Sequence, residues 1–323
     1  MAGLAQPAAR VRTVFLGTSA FAAAVLSRLC DSPHRPALVV SRPDSPQGRG
    51  RRLRPPPAAE AAREFGLDLY QPESVNSEEA RERIAAVGAE AVVVCAFGAL
   101  IKEPLLSDYR MLNVHPSLLP RWRGAAPIER AILAGDERTG VSIMVVTAGL
   151  DSGPVCLQAQ EPIRPDDDYG SLAMRLQTLG GELLVRVLDE DPDCSPQDDN
   201  QATYADKISP EDRRLDPLHA SAEQLARRVR ALTPHIGAYV ESGGVRLGVS
   251  QAEAIDGASP APGAAPASGA APAHGAGLAP GELALDGPRP VLGCACGALE
   301  LIVVQPPGKR PMAAEDYLRG LRR

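Results

Sequence analysis

The amino-acid sequence predicts an α/β protein with a Rossmann-like, mostly parallel sheet and helices on both faces, followed by a small β-barrel domain. Through the first 190 residues, short apolar runs alternate with helix-like stretches, which is typical of a parallel sheet covered on both sides. The pattern then changes to several short strands with few helices. A chain of 323 residues is long enough for two such domains.

The predicted strands of the first domain are aliphatic or β-branched and too short for typical helices. They are Val11–Leu16, Ala37–Ser41, Leu67–Tyr70, Ala91–Ala96, Met111–His115 and Val141–Thr147. The helical patterns between and after them are Phe21–Cys30, Ala58–Phe65, Glu78–Val87, Ala126–Ala134 and Leu172–Leu188. In sheets of this kind a ligand binds at the carboxyl ends of the strands.

An acidic, proline-broken stretch predicts a linker at residues 189–208, between domains of residues 1–188 and 209–323. In the second domain we expect one helix and four strands, with Gly243-Gly244 as a hairpin signal. These elements are Ala222–Leu232, Ala238–Glu241, Val245–Ser250, Gly281–Leu285 and Leu299–Val304. Residues 258–280 are nearly all Ala, Pro and Gly and are predicted to form a disordered insert.

Composition excludes several classes of protein. No apolar run approaches the roughly 18 residues that a bilayer crossing needs, and the first ten residues lack a signal-peptide core. We therefore expect a cytoplasmic protein. Its six cysteines are widely spaced with no Cys-x-x-Cys pair, which favours reduced thiols over disulfides or a metal site.

An arginine-rich segment stands out against the net charge of -6. The sequence SRPDSPQGRGRRLRPPP at residues 41–57 carries five arginines against one acid, Asp44. Guanidinium groups on a flexible, glycine-containing loop are suited to binding the phosphate backbone of a nucleic acid. The alternative interpretation is a charged loop that only contacts solvent.

The first predicted strand ends in Gly17-Thr18-Ser19. The dinucleotide-binding fingerprint needs three glycines, so Gly17 alone indicates only a tight turn.

The densest polar signal is MLNVHPSLLPRWRGAAPIERA at residues 111–131. Asn113 and His115 are two apart on a strand, so both side chains face the same way near its carboxyl end. An amide and an imidazole there can donate together to a developing oxyanion. The alternative is a structural asparagine and a buried core histidine.

Asp151 follows the next predicted strand, within Gly149-Leu150-Asp151-Ser152-Gly153. A carboxylate from a neighbouring strand end is expected to set the tautomer of His115, although Asp-Ser-Gly-Pro is also typical of a plain turn. Asn113, His115 and Asp151 together form a candidate trio for acid–base and oxyanion chemistry. No Ser, Cys or Lys in these segments indicates a covalent nucleophile, so direct transfer between two substrates is favoured.

These segments resemble the folate-dependent formyltransferases, and the resemblance spans nearly the whole chain. It is carried by GTSAF, VVVCAFG, LNVHPSLLPRWRGAAPIERAI and GLDSGPV, and later by TYADKISPEDRRLD and PPGKRPMAAEDYLRG. The arginine loop and the second domain narrow the resemblance to the branch that acts on methionyl-tRNA. The sequence differs from the usual pattern of this branch at Ser19, Arg42 and Phe97, where the branch usually has Pro, Gln and Tyr.

The resemblance implies roles for particular residues. Asn113, His115 and Asp151 match the catalytic trio of the family. The residues implied in folate binding are Ser117, Leu118, Leu119 and Pro120, with Ala96, Phe97, Gly98, Gly149 and Leu150 bordering the pterin. Arg49 matches the loop arginine that grips the tRNA acceptor end, and Arg42, Arg51 and Arg52 are expected to bind tRNA beside it. The carboxy-terminal domain is expected to be OB-like and to bind tRNA.

The implied activity is transfer of the formyl group of 10-formyltetrahydrofolate to the α-amine of methionyl-initiator tRNA, by a monomer that needs no metal or membrane. Three alternatives stay open from the residues. The acceptor can instead be a small amine, such as an amino-sugar nucleotide or glycinamide ribonucleotide. The chain can be a non-catalytic tRNA-binding protein. A nicotinamide-dependent dehydrogenase is disfavoured by the missing glycines.

Overall fold

The computed structural model describes residues 10–47, 52–242, 244–255 and 277–321. The chain divides into two compact units. The first unit comprises Met1–Pro127, Arg138–Pro162 and Ala173–Asp206, and the second comprises Ile128–Glu137, Ile163–Leu172 and Lys207–Arg323. Two segments that precede Ala173 in the sequence, Ile128–Glu137 and Ile163–Leu172, therefore belong to the second unit.

Secondary structure up to residue 206 alternates strands and helices. In chain order the elements are β1 (Thr13–Gly17), α1 (Ala20–Cys30), β2 (Leu38–Val40), β3 (Ser45–Gln47), β4 (Arg52–Arg54), α2 (Pro57–Glu64), β5 (Leu69–Tyr70), α3 (Glu78–Ala85), β6 (Ala91–Cys95), α4 (Leu105–Asp108), β7 (Met111–His115), β8 (Arg123–Gly124), α5 (Pro127–Ala134), β9 (Arg138–Val145), β10 (Val155–Pro162), α6 (Tyr169–Glu190) and β11 (Tyr204–Ala205).

A seven-stranded sheet forms the centre of the first unit, in the order β10-β9-β7-β6-β1-β2-β5. The five strands from β7 to β5 are parallel, whereas β9 and β10 run antiparallel at one edge. Helices cover both sides, so β1 and β2 are buried along their whole length. The predicted mostly parallel sheet with helices on both faces is confirmed. Strand β2 and then β5 lie on one side of β1, whereas β6 and then β7 lie on its other side. This reversal of strand order puts the topological switch point between β1 and β6.

The sequence patterns identified most of these elements but missed two kinds of strand. All six predicted strands of the first domain are present. Strand β10 was not predicted, because an edge strand buries only some of its side chains and lacks a continuous apolar run. The arginine-rich segment, predicted as a loop, contains the two-stranded hairpin β3–β4.

The second unit contains a separate antiparallel sheet. Its helices and strands are α7 (Ala222–Leu232), β12 (Ala238–Ser242), β13 (Val245–Ile255), β14 (Leu283–Ala284), β15 (Val291–Gly293), β16 (Ala298–Gln305), β17 (Met312–Ala313) and α8 (Ala314–Leu321). The order is β12-β13-β16-β15-β14, with β17 also paired to β16. Helix α7 begins with a capping box between Ser221 and Gln224 and packs its apolar face on β13.

Most of the predicted insert, residues 258–276, lies outside the described residues. The predicted hairpin between β12 and β13 is present, and Gly244 there has a φ of 76°, which glycine adopts readily. Closure of this sheet into an OB-like barrel stays a prediction. Among the described helices, none combines the length and apolar character that a bilayer crossing requires.

The segment predicted as a linker is held against the first unit up to Asp206. Ser195 pairs with Val155 through two backbone hydrogen bonds of 2.8 and 2.9 Å. Beside this bridge Cys156 and Cys194 form a disulfide, so the expectation of reduced thiols was wrong for this pair. The two cysteines are 38 residues apart in sequence, and only the antiparallel bridge brings them together. The other four cysteines are free.

Two adjacent glycines inside α6 allow close packing on the sheet. A Cβ at Gly180 would lie 2.9 Å from Cγ1 of Val114, a buried residue of β7, and a Cβ at Gly181 would lie 2.8 Å from the side chain of Arg28. Both glycines are in the middle of a 22-residue helix, where they weaken helix propensity. Close approach of α6 to β7 and α1 explains their presence.

We expect Gly180→Ala to lower the free energy of unfolding by about 1–2 kcal/mol, because overpacking outweighs the gain of about 1 kcal/mol in helix propensity. Chemical denaturation measures this change. The control is Gly320→Ala in α8, where nothing lies within 4 Å of an added Cβ. It should leave stability unchanged or raise it slightly. Equal behaviour of the two variants would contradict the packing argument.

Candidate active site

Strand β7 brings two of the predicted site residues to one face of the sheet. Asn113 of β7 lies opposite Val94 of β6 on one side and Met144 of β9 on the other, so its position within the sheet is fixed from both sides. His115 is the last residue of the strand and is buried. Because side chains alternate along a strand, Asn113 and His115 point to the same face, as the sequence predicted.

The carboxylate of Asp151 lies on that same face and contacts both side chains. Its Oδ1 accepts a hydrogen bond of 3.3 Å from Nδ2 of Asn113, and its Oδ2 is 3.6 Å from Nδ1 of His115. Oδ2 also accepts a hydrogen bond of 2.9 Å from the backbone N–H of Gly124. The structure therefore brings the three predicted residues together around one carboxylate, and the contact from Gly124 was not predicted.

The route by which Asp151 reaches the site requires a correction. We expected it to arrive from a neighbouring strand end, as in a parallel sheet. Strand β9 is antiparallel to β7, so Val145 at its carboxyl end pairs with Leu112, near the beginning of β7. The turn between β9 and β10 instead folds over the sheet face that carries Asn113 and His115.

The imidazole of His115 has a protein partner at each ring nitrogen. Nε2 is 2.8 Å from the carbonyl oxygen of Trp122. Because a carbonyl only accepts, Nε2 must carry a hydrogen. Nδ1 is turned towards Asp151, at a distance longer than a hydrogen bond but within ion-pair range. The backbone of Trp122 thus fixes the ring orientation, while the carboxylate faces the other nitrogen.

The turn after β7, residues 117–120, is tied to β9 through a buried serine. Oγ of Ser142 donates to the carbonyl of Ser117 at 2.6 Å and accepts from the N–H of Leu119 at 3.1 Å. Nε2 of Gln158 donates to the same hydroxyl at 2.7 Å and to the carbonyl of Leu119 at 3.0 Å. Ser117 and Leu119 are buried, whereas Leu118 and Pro120 are partly exposed. Sequence patterns gave no sign of the Ser142 contact.

The residues after β6 present exposed backbone at the switch point. Ala96 and Gly98 are exposed and have positive φ angles of 41° and 71°. The side chain of Phe97 between them is buried in the core, and its carbonyl accepts a hydrogen bond of 2.8 Å from the hydroxyl of Thr18. Ala96 and Gly98 are therefore available to a ligand at this turn, whereas the side chain of Phe97 is not. Gly149 and Leu150, next to Asp151, are also exposed.

Cys95 at the end of β6 is the thiol adjacent to this turn in sequence. It is completely buried, and desolvation raises the pKa of its thiol well above the ordinary value. A thiol in that state is a poor nucleophile. Within the part of the chain that the structure describes, no cluster of three or more His, Cys, Asp or Glu side chains is arranged to hold a metal ion.

The arginine-rich segment is a hairpin whose base is fixed to the sheet. Nε2 of Gln71, just after β5, donates to the backbone carbonyl of Arg42 and to Oδ1 of Asp44, both at 2.8 Å. Nη1 of Arg42 donates to the carbonyl of Gly98 at 3.1 Å, which connects the hairpin base to the turn after β6. Arg52 is exposed on β4. Arg49 and Arg51 lie outside the described residues.

Sequence reasoning missed Gln197, which contacts the backbone of the turn that carries Asp151. Its Nε2 donates to the carbonyls of Asp151 and Gly153 at 2.9 and 2.7 Å. Its Oε1 accepts from Nε of the buried Arg123 at 3.0 Å. Gln197 stands 46 residues after Asp151 in the predicted linker, and no local motif identifies such a partner.

Comparison with known proteins assigns the chain to a class. The sequence profile described as formyl transferase matches residues 11–188, and the profile described as formyl transferase, C-terminal domain, matches residues 207–322. The chain belongs to the formyl transferase family.

Within this family, the chain is similar along its length to methionyl-tRNA formyltransferases. The chain is similar to methionyl-tRNA formyltransferase of Methylococcus capsulatus, with 41% identity over 317 residues that cover 95% of this chain and 96% of the relative. Methionyl-tRNA formyltransferase of Thermus thermophilus is 42% identical, covering 96% of each chain. The fold is similar to that of HypX from Aquifex aeolicus in complex with tetrahydrofolic acid, with a TM-score of 0.62 and 16% identity, over 96% of this chain and 47% of that one.

The hydroxyl of Ser142 provides a test of how the turn at residues 117–120 is held. We expect Ser142→Ala to lower the free energy of unfolding by about 1–3 kcal/mol, because the buried carbonyl of Ser117 and the N–H of Leu119 lose their partner. Urea denaturation measures this loss. Ser45→Ala on the exposed hairpin is the control and should change stability little. An equally small effect of Ser142→Ala would contradict the proposed anchoring.

Proposed function

We propose that the chain transfers the formyl group of 10-formyltetrahydrofolate to the α-amine of methionyl-initiator tRNA. Family membership and the names of its full-length relatives support this activity. The observation that carries it is the contact of Asn113 and His115 with the carboxylate of Asp151 on one face of the central sheet. An amide, an imidazole and a carboxylate so close together can serve one carbonyl carbon.

The reaction exchanges one carbon–nitrogen bond for another. The neutral α-amine attacks the formyl carbon, and the carbonyl electron pair moves onto oxygen to give a tetrahedral oxyanion. Collapse restores the carbonyl and breaks the bond to N10 of the folate, while the amine loses one proton and N10 gains one. Because α-amino groups titrate at about 7.7–8.0, part of the substrate is neutral near pH 7.

Asn113 is proposed to donate a hydrogen bond to the oxyanion. Its amide has two N–H groups, and one of them is directed at Oδ1 of Asp151. That contact orients the amide and leaves the second N–H for the substrate. Hydrogen bonds to a group that gains negative charge are stronger in the transition state than in the ground state, so they lower the barrier.

His115 and Asp151 are proposed to handle the proton. Nε2 of His115 is occupied by the carbonyl of Trp122, so Nδ1 is the nitrogen that exchanges protons with the substrate. Asp151 faces Nδ1 and stabilises positive charge on the ring when a proton is taken up. The carboxylate thereby orients both other members of the trio and balances charge during transfer.

The formyl donor is proposed to bind along the edge next to the trio. Exposed backbone at Ala96 and Gly98 can pair with the amide-like edge of a pterin, and Gly149 and Leu150 border the same site. The turn at 117–120, held rigidly by Ser142, is proposed as the adjacent folate-binding stretch. HypX, which has a similar fold, is known in complex with tetrahydrofolic acid.

The hairpin β3–β4 is proposed to contact the tRNA acceptor end. Arg52 and Arg54 are both exposed on β4, and Gln71 fixes the base of the hairpin. We propose the same role for Arg42, Arg49 and Arg51. Guanidinium groups on an exposed, anchored hairpin suit phosphate contacts, which dominate the affinity of nucleic-acid binding.

The remaining parts of the proposal concern organisation. A carboxy-terminal domain of residues 209–323 is proposed to bind tRNA, with residues 189–208 as the boundary segment after a catalytic domain of 1–188. We propose that the protein works in the cytoplasm, where charged tRNA is found, and as a monomer without a metal.

Formylation of charged initiator tRNA tests the activity and the trio together. The purified protein is mixed with 10-formyltetrahydrofolate and methionyl-tRNA, and formyl-methionine on the tRNA is measured. We expect Asn113→Ala, His115→Ala and Asp151→Ala each to lower kcat by about 100-fold or more. His219→Ala is the matched control, since this exposed histidine also pairs with an aspartate, Asp216.

Three results would count against parts of this proposal. Formylation of small amines but not of the charged tRNA would show that the acceptor is wrong. A wild-type protein that formylates neither would refute the activity. Full activity in all three alanine variants, with folding verified by circular dichroism, would refute the site.

Removal of Arg52 tests the tRNA contact. We expect Arg52→Ala to raise the KM for methionyl-tRNA several-fold and to reduce the slope of log KM against log salt by about 0.7–0.9, because one phosphate contact is lost. The KM for the folate should not change. Arg186→Ala is the control, since Arg186 is also exposed but pairs with Glu190 on α6. An unchanged KM and salt slope would exclude Arg52 from the interface.

A further inference from the structure

We propose that Gln197 is a positioning residue that holds Asp151 in its working geometry by clamping the backbone of the turn at residues 151–153. The inference rests on the proposed function, because it concerns the same site. Gln197 contacts Asp151 only through its main chain. Its effect on the reaction therefore passes through Asp151.

The turn that carries Asp151 needs support from outside. Asp151 has a φ of 44°, a left-handed conformation that residues other than glycine rarely adopt and that strains the backbone. A Cβ at Gly153 would collide with the carbonyl of Val145, so the turn passes tightly over the end of β9. A small change in this backbone would move the Asp151 carboxylate away from Asn113 and His115.

Gln197 supplies this support with both hydrogens of its amide. Nε2 donates to the carbonyl of Asp151 at 2.9 Å and to the carbonyl of Gly153 at 2.7 Å. One side chain thus spans both ends of the three-residue turn. With both carbonyls engaged, the peptide planes that set the direction of the Asp151 side chain cannot rotate without breaking a hydrogen bond.

The orientation of the Gln197 amide is itself determined. Its Oε1 accepts from Nε of Arg123 at 3.0 Å, and an arginine can only donate. Arg123 is buried and also forms an ion pair with Asp199 at 2.8 Å. If the amide were flipped, its NH2 group would face the N–H of Arg123 and its oxygen would face the two carbonyl oxygens of the turn. Only the observed orientation therefore satisfies every partner.

The clamp closes a ring of contacts with the catalytic carboxylate. Gly124, which follows Arg123 on β8, donates its N–H to Oδ2 of Asp151. The short strand β8 therefore holds the carboxylate directly through Gly124 and holds the backbone of Asp151 indirectly through Arg123 and Gln197. Contacts that begin at the two residues of β8 therefore reach both the main chain and the side chain of Asp151.

The segment that carries Gln197 is anchored at its other end. Ser195 pairs with Val155 in both directions, and Cys194 is joined to Cys156 at the beginning of β10. These contacts deliver the side chain to the turn in a defined place. Pre-organisation of this kind is what a site needs when small displacements are costly.

Kinetics of Gln197→Ala test the proposal. We expect kcat to fall about 10- to 100-fold, because a displacement near 1 Å of a reacting group has effects of this size. The KM values for tRNA and folate should change less than twofold. Gln160→Ala is the matched control, since this exposed glutamine also accepts from an arginine, Arg138, but contacts no turn carbonyl.

A double-mutant cycle separates positioning from general destabilisation. If Gln197 acts through Asp151, then Gln197→Ala should lower kcat less than twofold further in a chain that already carries Asp151→Ala. An equal loss in both backgrounds would overturn the proposal. So would a kcat for Gln197→Ala within twofold of the wild-type value.

Gln197→Glu distinguishes two roles of Gln197: donating to the turn carbonyls, as proposed, or only accepting the hydrogen bond from Arg123. Glutamate keeps an acceptor for Arg123 but places an oxygen against the two turn carbonyls. We therefore expect it to lose at least as much activity as alanine. Wild-type activity in this variant would overturn the proposal, and the variant also serves if Gln197→Ala does not fold.

An activity-independent measurement keeps this inference separate from the proposed function. Hydrogen exchange by mass spectrometry should show faster exchange in a peptide covering residues 149–155 of Gln197→Ala, and no change there in Gln160→Ala. Unchanged exchange refutes the clamp even when the enzyme is active. A wild-type protein that does not formylate methionyl-tRNA refutes the proposed function and leaves the exchange result to decide the clamp.

Discussion

The carboxylate of Asp151 is the acceptor around which the candidate site is built. It receives hydrogen bonds from Asn113 of β7 and from the backbone of Gly124 in β8, and it faces His115 at 3.6 Å. A charge in a mostly buried place is costly unless its oxygens are satisfied. Since its partners come from separate segments, the site exists only when β7, β8 and the turn after β9 are all in place.

The sheet explains why these segments meet. Two antiparallel strands at one edge, β9 and β10, let the chain turn back over the face that β7 presents. A strictly parallel continuation would have sent the chain into another crossover helix, away from Asn113 and His115. The mixed sheet is therefore a condition for the trio, and the compact turn between β9 and β10 is the element that completes it.

Sequence patterns predicted the parts of this arrangement that depend on local chemistry. The strand β7 with Asn113 and His115 was predicted correctly because buried parallel strands are short and apolar and because side chains alternate. The edge strand β10 and the pairing of Cys156 with Cys194 were missed, since both depend on contacts between distant segments. Gln197 was missed for the same reason, as a single polar residue in an acidic stretch carries no periodic signal.

Energetics connect the strained turn to the rest of the fold. The left-handed backbone of Asp151 costs about 1–3 kcal/mol, whereas each hydrogen bond that holds the turn contributes a net of about 0.5–1.5 kcal/mol. The bonds from Asn113, Gly124 and the two from Gln197 together are enough to offset this strain. The conformation of the turn is therefore imposed by three other chain segments rather than by its own sequence. That dependence makes the position of the Asp151 carboxylate a property of the folded unit as a whole, because segments far from it in sequence hold it in place.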